Sequence, residues 1–217
     1  MDLFPAGYKG LPVETHKRLA LIPQPFIVDE HHVHVCASKD NDGVIVRAER
    51  PKDVFRNSLA TPSLLAATIT GKYLTHLPLD RQARCYADYG VDLGTNTLAN
   101  WMMEASDRYF SLVYDELHCQ LLETPVIPAD ETPFQVIKDG RKAGSESFMW
   151  VYRSGACDIH RPIVLYDYQP TRRTDHPDEF LAGYAGTLVT DGYQVYHSLE
   201  KKRDGLKVAG CWVHAKR

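Results

Sequence analysis

A chain of 217 residues, 44% of them hydrophobic, is long enough to bury a core of its own, as one large domain or two small ones. Its formal net charge of −3 argues against a protein that coats nucleic acid by bulk positive charge, although a site built to hold catalytic metals needs carboxylates of its own. No run of about eighteen apolar residues is present, and the opening stretch from Met1 to Arg18 lacks the charged-then-apolar pattern of a secretory signal, so a cytoplasmic protein without a membrane span is expected.

Residues 1–60 are rich in Pro, His and Val and predict a small, partly irregular β module. β-like runs fall at Phe26-Ile27-Val28 and His32-Val33-His34-Val35, a turn cluster at Asp40-Asn41-Asp42-Gly43, and a further strand at Val44-Ile45-Val46. The five cysteines, Cys36, Cys85, Cys119, Cys157 and Cys211, are odd in number and far apart, so neither a disulfide framework nor a C-x-x-C knuckle is indicated and reduced thiols are expected.

Residues 61–123 predict helices. Thr61 or Ser63 caps a first helix through Leu64, Leu65, Ala67 and Thr68 that ends near Gly71. A second runs from about Leu79 to Tyr89 and stops at Gly90. Thr95 then caps a third, long helix whose apolar face is Leu98, Trp101, Met102, Ala105, Tyr109, Leu112, Leu117 and Leu121. The second helix, its turn and the start of the third read as a helix-turn-helix in which Asn96 and Asn100 are suited to base edges or phosphates. A plain helical hairpin packed on the rest of the protein is an equal alternative. Glu104 and Asp107 would repel DNA, which confines any contact to the helix start.

From residue 124 to 217 the pattern changes to short apolar runs separated by turns. These are Val126-Ile127, Phe134 to Ile137, Phe148 to Tyr152, Ile163 to Tyr166 and Thr187 to Val189, with a helical stretch from Pro177 to Tyr184 before the last. Strands, a helix and a strand bearing an acid predict an α/β sheet of ribonuclease-H-like order, incomplete within these residues. Asp130 and Asp191 end or interrupt strands in this region, 191 − 130 = 61 residues apart. Acids so placed are costly unless solvated, paired or bound to a cation. On neighbouring strands they could converge on a pair of Mg²⁺ ions, or each could simply cap a turn.

The words around these acids are A-D-E-T-P-F-Q-V-I from Ala129, W-V-Y from Trp150, T-D-G-Y-Q-V-Y from Thr190 and G-C-W-V-H-A-K-R from Gly210. Upstream stand L-P-L-D-R-Q from Leu77 and I-P-Q-P-F from Ile22. In these phrases, in this order, the chain resembles the IS66 family of insertion-sequence transposases over nearly its whole length. The resemblance implies a DDE-type polynucleotidyl transferase in which Asp130 and Asp191 bind Mg²⁺ or Mn²⁺. A third ligand, a Glu on a helix beyond the C-W-x-H phrase, completes the family's triad. The chain therefore reads as a C-terminally truncated fragment, inactive by itself, with a non-catalytic DNA-binding or dominant-negative remnant as the alternative. A hydrolase of unrelated substrate on the same fold is a third reading.

Glu179 and Glu200 precede the phrase after which the family's Glu comes and cannot replace it. Glu131 reads as a supporting acid, because neighbours in a strand point to opposite faces. A zinc-ribbon-like module with paired cysteines lies at the family's N-terminus. Here His31, His32, His34 and Cys36 stand without a cysteine before them, so a metal-free, degenerate module is favoured and zinc is not expected. Cys211 and His214 read as fold elements or polar groups near DNA. The partners implied are insertion-sequence ends and target DNA, in a bacterial cytoplasm at the nucleoid, with self-association in an intact relative. Arg172, Arg173, Lys201, Lys202, Arg203, Lys216 and Arg217 are the basic residues expected to meet phosphates.

Overall fold

The structure, a computed structural model, describes residues 26–38, 44–136, 140–142, 144–155 and 162–216. The Asp40–Gly43 turn, Ile137, Cys157, Arg217 and most of the I-P-Q-P-F phrase lie outside the described residues. The chain divides into two compact units, Met1–Ala99 and Asn100–Arg217.

In the first unit β1 (Val35–Ala37) pairs antiparallel with β2 (Ile45–Arg47), Cys36 opposite Val46, and every residue of both is exposed. The expected strands at Phe26–Val28 and from His32 are corrected: Ile27 and Val28 are almost fully exposed, and pairing begins only at Val35. A ribbon this short has no buried face to extend it. Helix α1 (Pro62–Tyr73) starts where Thr61 accepts the Leu64 N–H at 3.2 Å, with Pro62 in the first turn where its missing N–H costs nothing. It runs past Gly71, because that glycine does not end the helix but makes room beside it. A Cβ at Gly71 would stand 2.9 Å from the side-chain nitrogen of Gln82 on α2 (Leu79–Asp88). Gln82 is fully buried; its Nε2 donates to the carbonyls of Thr68 at 3.2 Å and Leu77 at 3.0 Å, and its Oε1 accepts from the Tyr86 hydroxyl at 3.1 Å. Gly90, at φ +79°, turns the chain out of α2.

Helix α3 (Thr95–Ala105) leads through a π turn at Ser106–Phe110 into α4 (Ser111–Leu122). The Ser111 N–H bonds the Ser106 carbonyl, five residues back, which lodges an extra residue in the turn and slips the phase of the apolar stripe. Leu98, Trp101, Met102 and Ala105 are buried as expected, but Tyr109 and Leu112 turn outward. Leu117 faces inward as expected and Tyr114 joins it, leading to fully buried Leu121.

The second unit is built on a mixed five-stranded sheet in the order β5-β4-β3-β6-β7. Its strands are β3 (Val126–Phe134), β4 (Ser147–Arg153), β5 (Val164–Gln169), β6 (Thr187–Thr190) and β7 (Lys207–Gly210). β3, β4 and β5 are antiparallel neighbours, whereas β6 and β7 run parallel to β3. The apolar runs expected at Val126 and Phe134 are one continuous strand, with Asp130 inside it. The helix expected at Pro177–Tyr184 begins earlier, as α5 (Asp175–Phe180). Helix α6 (Gln194–Lys202) supplies the crossover to β7, and α7 (Trp212–Ala215) follows the last strand. One face of the sheet carries Ile127, Ala129, Trp150, Tyr152, Leu165 and Leu188 against Leu121, Phe180, Leu181, Val195, Tyr196 and Leu199 from the helices. Tyr152 and Phe180 stack at 3.8 Å. No helix among the described residues is long and apolar enough to cross a membrane.

Gln82 is buried at the centre of the α1–α2 contact, and removing it takes a donor from the Thr68 and Leu77 carbonyls and an acceptor from the Tyr86 hydroxyl. Gln82→Ala should cost about 1–3 kcal/mol; a urea denaturation midpoint equal to wild type would contradict this.

Candidate active site at the acid-bearing strands

β3 changes partner along its length. Val126, Ile127 and Pro128 pair with Thr187, Leu188 and Val189 of β6, while Ala129 to Phe134 pair with β4. The parallel register offsets β3 from β6 by 187 − 126 = 61 positions, the same separation as Asp130 and Asp191. The two acids therefore stand at equivalent positions on adjacent parallel strands, Asp191 in the first residue beyond β6. Burial alternates along both strands, with Ile127, Ala129 and Glu131 inward on β3 and Leu188 and Thr190 inward on β6. Asp130 and Asp191 consequently share the opposite face, and both are exposed.

Backbone groups hold one oxygen of each acid. Asp130 Oδ1 accepts the Glu131 N–H at 3.0 Å, and Asp191 Oδ1 accepts the Tyr193 N–H at 2.9 Å across a turn that Gly192 opens at φ +92°. From the last turn of α7, His214 brings Nε2 to 3.9 Å from Asp130 Oδ2, and its Nδ1 is buried without a protein partner. Cys211, which caps α7, donates its N–H to the Thr190 carbonyl at 2.7 Å and continues the β6–β7 pairing beside Asp191. Among the described residues no group of three or more His, Cys, Asp and Glu side chains is arranged to hold a metal ion. Two hard carboxylates alone still suit Mg²⁺ or Mn²⁺, because such ions take one or two protein carboxylates and keep waters or substrate phosphates in the remaining positions.

Behind the acids, Glu131 is a carboxylate with only 1% of its side chain exposed, ion-paired to Arg172. Arg172 Nε donates to Glu131 Oε1 at 2.8 Å, with Nη2 on the same oxygen, and the buried Tyr196 hydroxyl donates to Oε2 at 3.1 Å. Burial pushes the Glu131 carboxyl above the usual glutamate range; Arg172 opposes this, and Asp191 adds to it. Burial likewise pushes the Tyr196 hydroxyl upward, keeping it a donor. The Arg172 guanidinium lies 3.8 Å over the Tyr193 ring, whose hydroxyl donates to the Arg172 carbonyl at 3.0 Å. Glu131 takes the inward face that strand alternation implies. Arg172 and Tyr196 were invisible as its partners, since nothing in spacing joins residues 41 and 65 positions apart.

The basic residues divide. Arg172 is ion-paired with Glu131, and Arg203 bonds the carbonyls of Leu181 and Asp178 and the Asp178 carboxylate, so neither is an unpaired cation. Arg173 is exposed but paired with Asp175 at 2.7 Å. Lys201 and Lys202 at the end of α6, and Lys216 after α7, are exposed. Asn96 and Asn100 are exposed on α3. In the first unit His31, His32, His34 and Cys36 are exposed as well.

A mixed sheet with two acids at its point of strand reversal defines an α/β protein with a candidate oxygen-donor cation site. The chain belongs to the IS66 transposase family, whose sequence model, described as "Transposase IS66 family", matches residues 57–217. It is similar to three uncharacterized proteins of Sinorhizobium fredii (strain NBRC 101917 / NGR234). The protein y4qI is 30% identical over 94% of this chain and 39% of its own length. For y4jD the figures are 29%, 85% and 37%, and for y4hP 28%, 72% and 29%. The chain thus spans about two-fifths of the length of y4qI and less of the others. No solved structure matches.

Because the Glu131 carboxyl is raised in the folded protein, it contributes stability that is fully present below the usual glutamate pKa of about 4.3 and is lost as pH rises through the raised value. Glu131→Gln should flatten that decline in urea unfolding measured across the window. An unchanged slope would show that Glu131 is not the group responsible.

Proposed function

We propose that this chain carries the DNA-cutting and strand-transfer site of a DDE-type transposase, on a ribonuclease-H-like sheet, with Asp130 and Asp191 as metal ligands. The observation that carries the reading is that the register of parallel β3 and β6, extended two residues past their last pair, brings Asp130 and Asp191 to matching positions, where a backbone N–H holds one oxygen of each. The sheet order, three antiparallel strands continued by two parallel ones, supports the fold. The place supports the site: in open α/β sheets, ligands collect where the strand order reverses. Here the chain leaves β3 toward β4 and β5 on one side and returns to β6 and β7 on the other.

Mg²⁺ or Mn²⁺ bound there would supply Lewis-acid activation of the attacking oxygen and of the scissile phosphate. Asp130 and Asp191 would anchor it from the protein side, each with its second oxygen directed away from the bond that fixes the first. The reaction is attack of water, then of a DNA 3′-hydroxyl, on a phosphodiester bond. By the family resemblance the third acid lies beyond the Cys211–His214 phrase, so residues 1–217 alone hold the ion loosely and do not nick DNA. The expected result is no Mn²⁺-dependent nicking by 1–217, and nicking by a longer polypeptide that includes the next acidic helix. Asp130→Asn or Asp191→Asn should abolish the activity of the longer form. Nicking that survives either substitution would remove that acid from the site.

Lys201, Lys202 and Lys216 are proposed to meet DNA phosphates, with Asn96 and Asn100 contacting DNA from the start of α3. Salt dependence tests the cations. Replacing all three lysines by Gln should lower the slope of log affinity against log salt by roughly three, since each phosphate contact contributes about 0.9. An unchanged slope would place the DNA elsewhere.

A further inference from the structure

We propose that Arg172 is a positioning residue for the acid pair: clamped between Glu131 and Tyr193, it ties β3 to the turn after β6 and sets the relative placement of Asp130 and Asp191. The proposal rests on the reading of those acids as metal ligands. The contacts form a closed circuit. Asp130 Oδ1 accepts the Glu131 N–H at 3.0 Å, and the Glu131 carboxylate accepts Arg172 Nε at 2.8 Å. The guanidinium lies 3.8 Å over the Tyr193 ring, and the Tyr193 N–H returns to Asp191 Oδ1 at 2.9 Å. The Tyr193 hydroxyl, donating to the Arg172 carbonyl at 3.0 Å, fastens the ring from its far end.

The circuit is needed because the backbone ladder between β3 and β6 does not reach the acids. β3–β6 pairing stops at Pro128 and Val189, two residues before each carboxylate. Past that point the direct link between the acid-bearing segments is made by side chains. Arginine suits the place for a geometric reason: its planar fork donates edge-on to a carboxylate while its face covers an aromatic ring, and a lysine ammonium cannot do both. Arg172 lies between β5 and α5, so a third segment enforces the spacing of the two strands. Tyr196 secures the remaining Glu131 oxygen, which keeps the carboxylate from turning away from the arginine.

A merely structural role is separable from positioning, because removing one partner of a buried ion pair destabilises a fold, whereas removing both charges relieves much of the penalty. The test compares Arg172→Gln, Arg172→Lys and the double variant Glu131→Gln/Arg172→Gln with the 217-residue wild type and with Asp130→Asn. Three quantities are read: the urea midpoint, Mn²⁺ affinity from the electron paramagnetic resonance signal of free ion, and hydrogen exchange at the Tyr193 and Glu131 amides without metal. The double variant should regain stability lost in Arg172→Gln, yet bind Mn²⁺ about 10- to 100-fold more weakly than wild type. Its Tyr193 and Glu131 amides should exchange faster while the Leu188 amide is unchanged. Arg172→Lys should fold and still bind weakly. A double variant with wild-type exchange at both amides overturns the proposal, as does wild-type Mn²⁺ affinity in that variant. If wild type and Asp130→Asn bind Mn²⁺ equally, the ligand reading fails instead, and amide exchange still decides the clamp.

Discussion

The change of partner along β3 is the constraint on which the rest of the second unit depends. β3 lies between β4 and β6, and it pairs its first residues with β6 on one edge and its later ones with β4 on the other. Where one ladder stops and the other continues, the sheet opens beside β3, and side chains there gain room that a fully paired strand denies them. Asp130 occupies that point, and Asp191 occupies the matching point beyond the end of β6. A one-residue slip between the strands would turn Asp191 to the buried face and Thr190 to the open one. The buried residues Ile127, Ala129 and Leu188 oppose that slip, so the packing of the apolar face sets the geometry of the acidic one.

Glu131 shows the cost of that arrangement. Alternation that sends Asp130 outward sends Glu131 into a face occupied by Trp150, Tyr196 and Leu188, where a carboxylate requires a charged partner and further donors. Arg172 and the Tyr196 hydroxyl meet the requirement. Replacing such a buried pair by apolar groups is often neutral or stabilising, so stability alone is a weak reason for it to be present. Its contacts, reaching both Asp130 and Asp191 through Glu131 and Tyr193, make a geometric role the more economical account.

The helices show the same interplay. The π turn at Ser106–Phe110 lodges an extra residue in the helix, and beyond it Tyr114, Leu117 and Leu121 face the core of the sheet. Membership of the IS66 transposase family covers residues 57–217, which include this helix and the whole sheet.

Local chemistry was enough to locate several elements. Thr61, one of two candidate caps with Ser63, marked the start of α1, Gly90 the end of α2, and the apolar runs the positions of β4, β5 and β6. The spaced phrases around Asp130 and Asp191 were legible as a family resemblance, and strand alternation alone separated Asp130 from Glu131. What residue spacing could not supply was anything that depends on which strand lies beside which. Whether Asp130 and Asp191 share a face follows from a parallel register fixed by pairing across 61 residues. That Arg172 and Arg203 are ion-paired follows from carboxylates brought to them by folding. The π turn could not be placed from the apolar stripe, because Tyr109 and Leu112, which turn outward, are as apolar as Tyr114 and Leu117, which face the core. Local patterns report the backbone's short-range preferences; partner choice is decided by burial and charge over the whole unit, and only the tertiary structure contains those terms.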